Sequence, residues 1–158
     1  SQVFIIATMI QALNVLPGHR VLEVGAGSGY ATAVLSQLAA AVYAVERLPE
    51  LVAYAQERLA ALGIRNVHLR HANGTLGWPE AAPFDAILVS AGGPHIPQAL
   101  REQLAVNGRL IMPVGATRHY QALRLLHRRS ATDYEEEDQA PAAFVPLIGL
   151  NGWQAEGE

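Results

Sequence analysis

Three glycines spaced two residues apart form the segment of this sequence best suited to hold a ligand. Gly25, Gly27 and Gly29 follow an apolar segment, residues 21–24, and precede Tyr30, where a helical pattern begins. Glycine has no Cβ, so it permits positive φ and lets a ligand approach the backbone closely. The sequence therefore predicts a binding loop between a buried strand and a helix.

The loop alone leaves the identity of its ligand open. A glycine-rich turn after a first strand is common to dinucleotide sites and S-adenosylmethionine sites. The dinucleotide fingerprint has glycine at its first, third and sixth positions, whereas the sixth position here is Tyr30. The Gly-Lys-Ser/Thr sequence of a phosphate-binding loop is absent, and the chain contains no lysine. These departures weigh against a dinucleotide or phosphate ligand.

Two acidic residues and one asparagine stand where they could bind the parts of an adenosyl ligand. Glu46 ends the second apolar segment, and its carboxylate can accept hydrogen bonds from both hydroxyls of a ribose. Glu23 precedes the first glycine by two places and can lie near a positively charged ligand end. Asn73 follows the third predicted strand, where its amide could contact an adenine edge. The alternatives are a surface carboxylate at Glu46 and a turn asparagine at Asn73-Gly74. An adenosyl sulfonium with an amino acid tail fits this set best.

Apolar periodicity and turn residues divide the chain into alternating strands and helices. Helical patterns cover residues 4–16, 31–40, 49–62 and 97–105, and strand patterns cover residues 21–24, 42–45, 67–70, 84–90, 109–114, 120–127 and 143–150. Residues 71–83 are predicted to be a loop, and the acidic residues 133–138 a solvated turn or edge. This order predicts an α/β fold with a mainly parallel sheet, helices on both faces, and ligands at the carboxyl ends of the strands.

Composition limits the class of protein. A chain of 158 residues suits one domain, and a net charge of -3 with 16% charged residues weighs against nucleic-acid binding. The absence of cysteine excludes disulfides and thiolate metal sites, and the six histidines lack metal-ligand spacing. No apolar run approaches the roughly 20 residues of a membrane span. We therefore expect a cytoplasmic monomer without a metal, membrane or nucleic-acid partner.

Six motifs, in their order and spacing, resemble the protein-L-isoaspartate O-methyltransferase family: VLEVGAGSGYATAVL, VYAVERLPEL, NVHLRHANGTLGW, PFDAILVSAGGPHIP, GRLIMPVG and FVPL. The resemblance covers nearly the whole chain and implies a Rossmann-like methyltransferase domain with antiparallel C-terminal strands. The implied reaction transfers a methyl group from S-adenosylmethionine to the carboxylate of isoaspartyl residues in damaged proteins or peptides. The implied cofactor product is S-adenosylhomocysteine.

The resemblance also implies a set of site residues. Ser1 matches a serine at the reaction centre of the family. The implied cofactor site consists of Glu23, Gly25, Ala26, Gly27, Ser28, Gly29, Tyr30, Glu46, Arg47, Asn73, Gly74 and Ser90. The implied acceptor site consists of Gly92, Gly93, Pro94, His95, Phe144, Val145 and Pro146.

Several departures from the family pattern leave the methyl acceptor open. The Gly-Asp-Gly of the family is Ala72-Asn73-Gly74 here, a frequent proline is Val3, and a frequent arginine is Ala143. The N-terminal region that precedes the serine in the family is expected to be missing from the single domain of residues 1–158. Two alternatives therefore remain: a related methyltransferase that acts on another carboxylate or a peptide natural product, and an inactive cofactor-binding module.

A carboxylate acceptor demands no general base, because a carboxyl group with a pKa of about 4 is already ionised at neutral pH. Catalysis would depend on aligning the nucleophile with the methyl group and on excluding water. This expectation agrees with a sequence that shows no evident set of base or metal-binding residues.

Overall fold

The structure is a computed structural model that describes residues 3–150 and 152–155. The strands of this part of the chain are β1 (Arg20–Val24), β2 (Ala41–Glu46), β3 (Val67–His71), β4 (Phe84–Val89), β5 (Leu104–Val114), β6 (Gln121–Arg128) and β7 (Tyr134–Ala142). The α-helices are α1 (Val3–Leu13), α2 (Tyr30–Leu38), α3 (Pro49–Ala61) and α4 (Gln98–Gln103). Two short 3-10 helices, Gly74–Leu76 and Pro79–Ala81, lie in the segment predicted to be a loop.

All of these strands form one sheet in the order β3-β2-β1-β4-β5-β6-β7. Strands β1 to β5 pair in parallel, whereas β6 and β7 are antiparallel to their neighbours. The predicted fold class is therefore confirmed. The chain proceeds outward from β1 through β2 to β3, and then returns to β4 on the other side of β1. This reversal creates a crevice at the carboxyl ends of β1 and β4, where sheets of this kind bind ligands.

Both faces of the sheet are buried, because successive side chains of a strand point to opposite sides. On one face, Val21 and Val42 pack in the cluster that holds the buried residues of α1, which recur at helical spacing: Ile6, Met9, Ile10 and Leu13. On the other face, Leu22 and Val24 pack in the cluster that contains Leu100 of α4. This packing fixes the path of β1 from both sides and so positions the glycine loop.

The C-terminal part of the fold differs from the sequence prediction. The predicted strand over residues 143–150 is wrong, and the last strand of the sheet, β7, instead contains most of the acidic segment. The sequence predicts either a solvated turn or a sheet edge for the acidic segment, and the structure shows the edge. Cross-strand arginines compensate its charge, with Arg124 Nε 2.9 Å from Asp138 Oδ1 and Arg129 Nη2 2.8 Å from Glu135 Oε2.

Some element boundaries also differ from those predicted. The fourth helix ends at Gln103, and residues 104–108 extend β5 toward the N-terminus through a register shift opposite β4. Asn107 in this extension has a φ of 68°. The first helix ends at Leu13, so Leu16 lies beyond it and is half exposed. No helix within residues 3–150 and 152–155 has the length and apolar character required to cross a membrane.

Replacing Leu22 by alanine should lower the free energy of unfolding by about 2–5 kcal/mol, because it leaves a cavity at a fully buried position in the centre of the sheet. Urea denaturation followed by circular dichroism measures this change. The matched control is Leu62→Ala, which removes a 65% exposed side chain and should change the free energy by less than about 0.5 kcal/mol. Equal effects of the two substitutions would contradict the assignment of Leu22 to the core.

Candidate active site

The glycine loop is held against the end of β2 by backbone hydrogen bonds. The amides of Gly25 and Ala26 both donate to the carbonyl oxygen of Val45, at 2.9 and 3.2 Å. The three glycines have φ values of 88°, 55° and 86° at positions 25, 27 and 29. Residues that carry a Cβ strongly disfavour positive φ, so the path of the loop explains why glycine stands at each of these three positions.

The loop leads into the N-terminus of α2, which no side chain caps. Gly29 is the N-cap residue, and its backbone is left-handed. The first amides of a helix have no partner within it and carry a partial positive charge, so this end suits an anionic group such as a carboxylate. A Cβ built on Gly27 would meet no atom within 4 Å, so the loop is open on that side. Ser28 and Tyr30 are exposed, and Ala26 is buried.

The carboxylate of Glu46 lies directly beside the glycine loop. Its Oε2 accepts a hydrogen bond from the Gly27 amide at 3.0 Å, and its Oε1 accepts a longer one from the Leu48 amide at 3.4 Å. Each carboxylate oxygen has a second lone pair, so the group can still accept from two ligand hydroxyls. The structure thus brings together the two features that the sequence interpretation assigned to an adenosyl ligand, although they lie 19 residues apart.

Glu23 lies within β1, fully buried beneath the loop. The hydroxyl of Thr32 donates a hydrogen bond to its Oε1, while Oε2 has no partner within the described residues. Burial raises the pKa of Glu23 to about 8; the Thr32 bond opposes this shift, and the charge of Glu46 adds to it. The raised pKa favours the protonated, neutral form of Glu23, and its Oε2 is left without a partner within the described residues.

Asn73 takes the role that the sequence analysis gave as the alternative. Its Oδ1 accepts hydrogen bonds from the amide and the hydroxyl of Thr75, at 3.0 and 2.8 Å, and so caps the 3-10 helix Gly74–Leu76. Both lone pairs of that oxygen are used within the turn. Gly74 is buried at this turn. A contact between Asn73 and adenine stays a prediction.

Ser90 and Arg47 follow the ends of two different strands. The amide of Ser90 donates to the Val24 carbonyl oxygen at 2.9 Å, and a Cβ on Gly25 would lie 3.8 Å from the Ser90 side chain. Ser90 thus borders the glycine loop, although the fourth strand ends one residue before it. Arg47 is exposed, and its carbonyl oxygen lies 2.7 Å from Nε2 of His71.

The two segments predicted to form the acceptor site lie side by side. The Gly92 amide donates to the carbonyl oxygen of Val145, and the Leu147 amide donates to the carbonyl oxygen of Gly92, both at 2.7 Å. The Gly93 amide donates to the Pro113 carbonyl oxygen at 3.1 Å, which joins the pair to β5. Residues more than 50 positions apart in the sequence therefore meet at the carboxyl end of the sheet.

The side chains of the predicted acceptor residues differ in burial. Phe144 packs partly buried against the apolar cluster that contains α1, and Pro146 is also partly buried. Val145 is 69% exposed, Pro94 is partly buried and His95 is exposed. The predicted catalytic residue, Ser1, lies outside the described residues.

Sequence reasoning missed several groups that complete the site. Thr32 is a polar residue on the buried face of α2, beside Ala31 and Leu35, and that position was the available sequence signal. The Leu48 amide and the carbonyl oxygen of Val45 belong to the backbone, so residue type does not reveal them. Gln121 accepts a hydrogen bond from the Phe144 amide, 23 residues away, and nothing local in the sequence indicates this contact.

Comparison with known proteins agrees with this fold and arrangement. A family model described as protein-L-isoaspartate(D-aspartate) O-methyltransferase matches residues 1–152. The chain is 55% identical to protein-L-isoaspartate O-methyltransferase 1 of Rhodopseudomonas palustris (strain HaA2), over 97% of this chain and 62% of that protein. It is 50% identical to protein-L-isoaspartate O-methyltransferase 2 of Marinobacter nauticus, over 97% of this chain and 70% of that protein.

Solved structures show the same relationship. A structure named protein-L-isoaspartate O-methyltransferase superposes with a TM-score of 0.87 at 29% identity, covering 96% of this chain and 48% of that one. A second, described as a beta-aspartate methyltransferase from Plasmodium falciparum in complex with S-adenosyl-L-homocysteine, has a TM-score of 0.72 at 27% identity and covers 90% and 71% of the two chains.

The sheet order and the glycine loop at the strand reversal define a Rossmann-like methyltransferase domain. The chain belongs to the protein-L-isoaspartate O-methyltransferase family, which confirms the resemblance seen in its motifs. It spans 62% of the Rhodopseudomonas relative and about half of the first solved structure.

Replacing Glu23 by glutamine should make the protein relatively more stable as the pH rises from about 5 to about 8. The folded state holds the Glu23 proton up to a pKa of about 8, whereas the ordinary value is 4.5, so the folded state binds more protons between these values. The wild type should therefore lose stability relative to the variant by up to about 1.4 kcal/mol per pH unit in this window. Urea denaturation across the pH range measures the difference.

The same substitution at exposed Glu57 is the matched control for charge removal. A stability difference between wild type and Glu23→Gln that does not change with pH would contradict the burial of a titrating carboxyl beneath the loop.

Proposed function

We propose that this chain is an S-adenosylmethionine-dependent carboxyl O-methyltransferase that methylates L-isoaspartyl residues in damaged proteins or peptides. Its family membership and the printed names of its relatives support the reaction. The observation that carries the proposal is the contact between the Gly27 amide and the Glu46 carboxylate at the strand reversal. That contact puts an acceptor for ribose hydroxyls beside a backbone loop that is open to a ligand.

The residues present fit this cofactor. Glu46 retains free lone pairs for a ribose, and the uncapped N-terminus of α2 suits the carboxylate of an amino acid tail. The buried Oε2 of Glu23 lacks a partner within the described residues, which a cationic ligand group would supply. When bound, S-adenosylmethionine supplies a methyl group on a positively charged sulfur.

Glu23 can couple cofactor binding to proton release. A positive charge near a carboxyl group favours its ionised form. Because burial raises the pKa of Glu23 to about 8, the group holds its proton at pH 7 in the free protein. In this proposal Glu23 would give up its proton to solvent if a positive charge were bound beside it, and the Thr32 hydroxyl would continue to donate to the resulting carboxylate.

The contribution of the chain to methyl transfer is orientation and water exclusion. An isoaspartyl carboxylate is already ionised at neutral pH, so no side chain is needed to remove a proton from it. The Gly92 and Val145 segments lie next to the end of β4 and form a wall beside the crevice. In this proposal they hold the acceptor, and the catalytic role of Ser1 stays a prediction from the family resemblance. Alignment of reacting groups can lower a barrier by several kcal/mol.

The proposal extends to the setting of the reaction. The net charge of -3 weighs against a nucleic-acid partner, and the absence of cysteine is compatible with a cytoplasmic protein. We propose that the protein acts there on isoaspartyl proteins as a monomer, without a membrane partner. Gel filtration with light scattering tests the monomer, and an elution at twice the mass would contradict it.

Replacing Glu46 by alanine should raise the Kd for S-adenosylhomocysteine by about 10- to 100-fold. The substitution removes the charged acceptor, and each hydrogen bond to a charged group contributes about 1.5–3 kcal/mol. Titration calorimetry measures the affinity, and Glu50→Ala, at an exposed carboxylate in the first turn of α3, is the matched control. An unchanged affinity in Glu46→Ala would show that the ribose binds elsewhere.

The full reaction is tested with a peptide that contains one isoaspartyl residue and with its ordinary aspartyl counterpart. Radiolabelled methyl groups should appear only in the isoaspartyl peptide. Equal labelling of both peptides would favour a methyltransferase with a broader carboxylate acceptor. Absence of labelling, together with the stabilisation of about 2.7 kcal/mol expected at a ligand concentration of 100 Kd, would favour an inactive cofactor-binding module.

A further inference from the structure

Gln121 is a buried polar residue that connects the predicted acceptor segments. It is the first residue of β6 and is only 6% exposed. Its Oε1 accepts a hydrogen bond from the backbone amide of Phe144 at 3.0 Å. Its Nε2 makes a longer contact of 3.5 Å with the carbonyl oxygen of Arg118. The side chain thus gives a partner to an amide that belongs to no strand.

The same carboxamide fills the space beside Gly92. A Cβ built on Gly92 would overlap Gln121 Oε1, Nε2 and the carbon between them. Gly92 has ordinary backbone angles, since it is not among the glycines with positive φ. A larger residue at position 92 would therefore have to displace the Gln121 carboxamide from its present place.

Gln121 thereby contacts both of the segments that pair with each other here, one at Gly92 and the other at Phe144. These paired segments, Gly92 and residues 144–147, are called the acceptor wall. Gly92 pairs with Val145 and Leu147 through two backbone hydrogen bonds of 2.7 Å, and Gln121 holds Phe144 immediately before that pair. The wall otherwise depends on isolated bridges, because residues 143–145 belong to no regular strand. Ordering a short segment with few regular hydrogen bonds costs conformational entropy. The hydrogen bond to the buried Gln121 side chain therefore contributes substantially to holding this segment in place.

The position of Gln121 also reaches an open surface. It lines a cavity of about 890 Å³ together with Val114, Gly115 and Ala143. Gly115 is joined to the acceptor segments, because its amide donates to the Gly93 carbonyl oxygen at 3.1 Å. Gln121 therefore lies between this open surface and the acceptor wall.

We propose that Gln121 is a positioning residue for the methyl acceptor, which holds residues 144–146 against Gly92 so that the acceptor wall is formed before the peptide binds. This inference rests on the proposed function. Without the Gln121 acceptor the wall is populated only part of the time, and the apparent affinity for the peptide falls by that fraction. The cofactor site is formed by other elements and is unaffected.

The test compares Gln121→Met with wild type and with Gln139→Met, the same substitution at an exposed glutamine of β7. Methionine has a similar shape but cannot accept the Phe144 hydrogen bond. The KM for an isoaspartyl peptide should rise about tenfold in Gln121→Met, because losing one hydrogen bond costs about 1.4 kcal/mol, which corresponds to a tenfold change in affinity. The kcat at saturating peptide and the Kd for S-adenosylhomocysteine should stay unchanged, and amide exchange at Phe144 should become about tenfold faster.

A second variant reaches the same contact from the other side. Gly92→Ala keeps Gln121 but displaces its carboxamide, so amide exchange at Phe144 should accelerate as it does in Gln121→Met. This measurement decides whether Gln121 holds the segment if Gln121→Met does not fold. An unchanged peptide KM, or an equal loss of peptide and cofactor affinity, would overturn the proposal. If the wild type methylates no isoaspartyl peptide, the proposed function fails, and amide exchange at Phe144 still decides whether Gln121 holds this segment.

Discussion

The candidate site depends on one constraint: the glycine loop after β1 must rest on the end of β2. Two amides of the loop donate to the Val45 carbonyl oxygen, and the Gly27 amide donates to the Glu46 carboxylate. These bonds join β1 to β2 at their carboxyl ends, next to the point where the strand order reverses between β1 and β4. Because both strands are fixed by a core on each side of the sheet, the loop has a defined place before any ligand binds.

A buried carboxyl group below the loop is the unfavourable part of this arrangement. Desolvation disfavours an ionised Glu23, and one of its oxygens has no partner within the described residues. Among the described residues, the Thr32 hydroxyl alone donates a hydrogen bond that offsets this cost. A polar group left so incompletely satisfied is characteristic of a functional site, since a cationic ligand would supply the missing interaction.

The opposite wall of the crevice is built differently. It consists of short segments from distant parts of the chain, joined through Gly92 by isolated bridges rather than by a regular strand ladder. The glycine loop is therefore held by the central sheet, whereas the segment proposed to hold the acceptor is held by a few backbone bonds and Gln121.

The sequence by itself determined the α/β class, the parallel order, the glycine loop and its neighbour Glu46, because apolar periodicity and glycine spacing are local properties of the chain. It also indicated the family, through six motifs in register. Only the tertiary structure decided that residues 143–150 form a bridging segment instead of a strand and that Asn73 caps a turn. It also decided that Thr32 bonds to Glu23 and that Gln121 holds the Phe144 amide. These features depend on contacts between residues far apart in the sequence, and on burial, which residue types and spacing do not reveal.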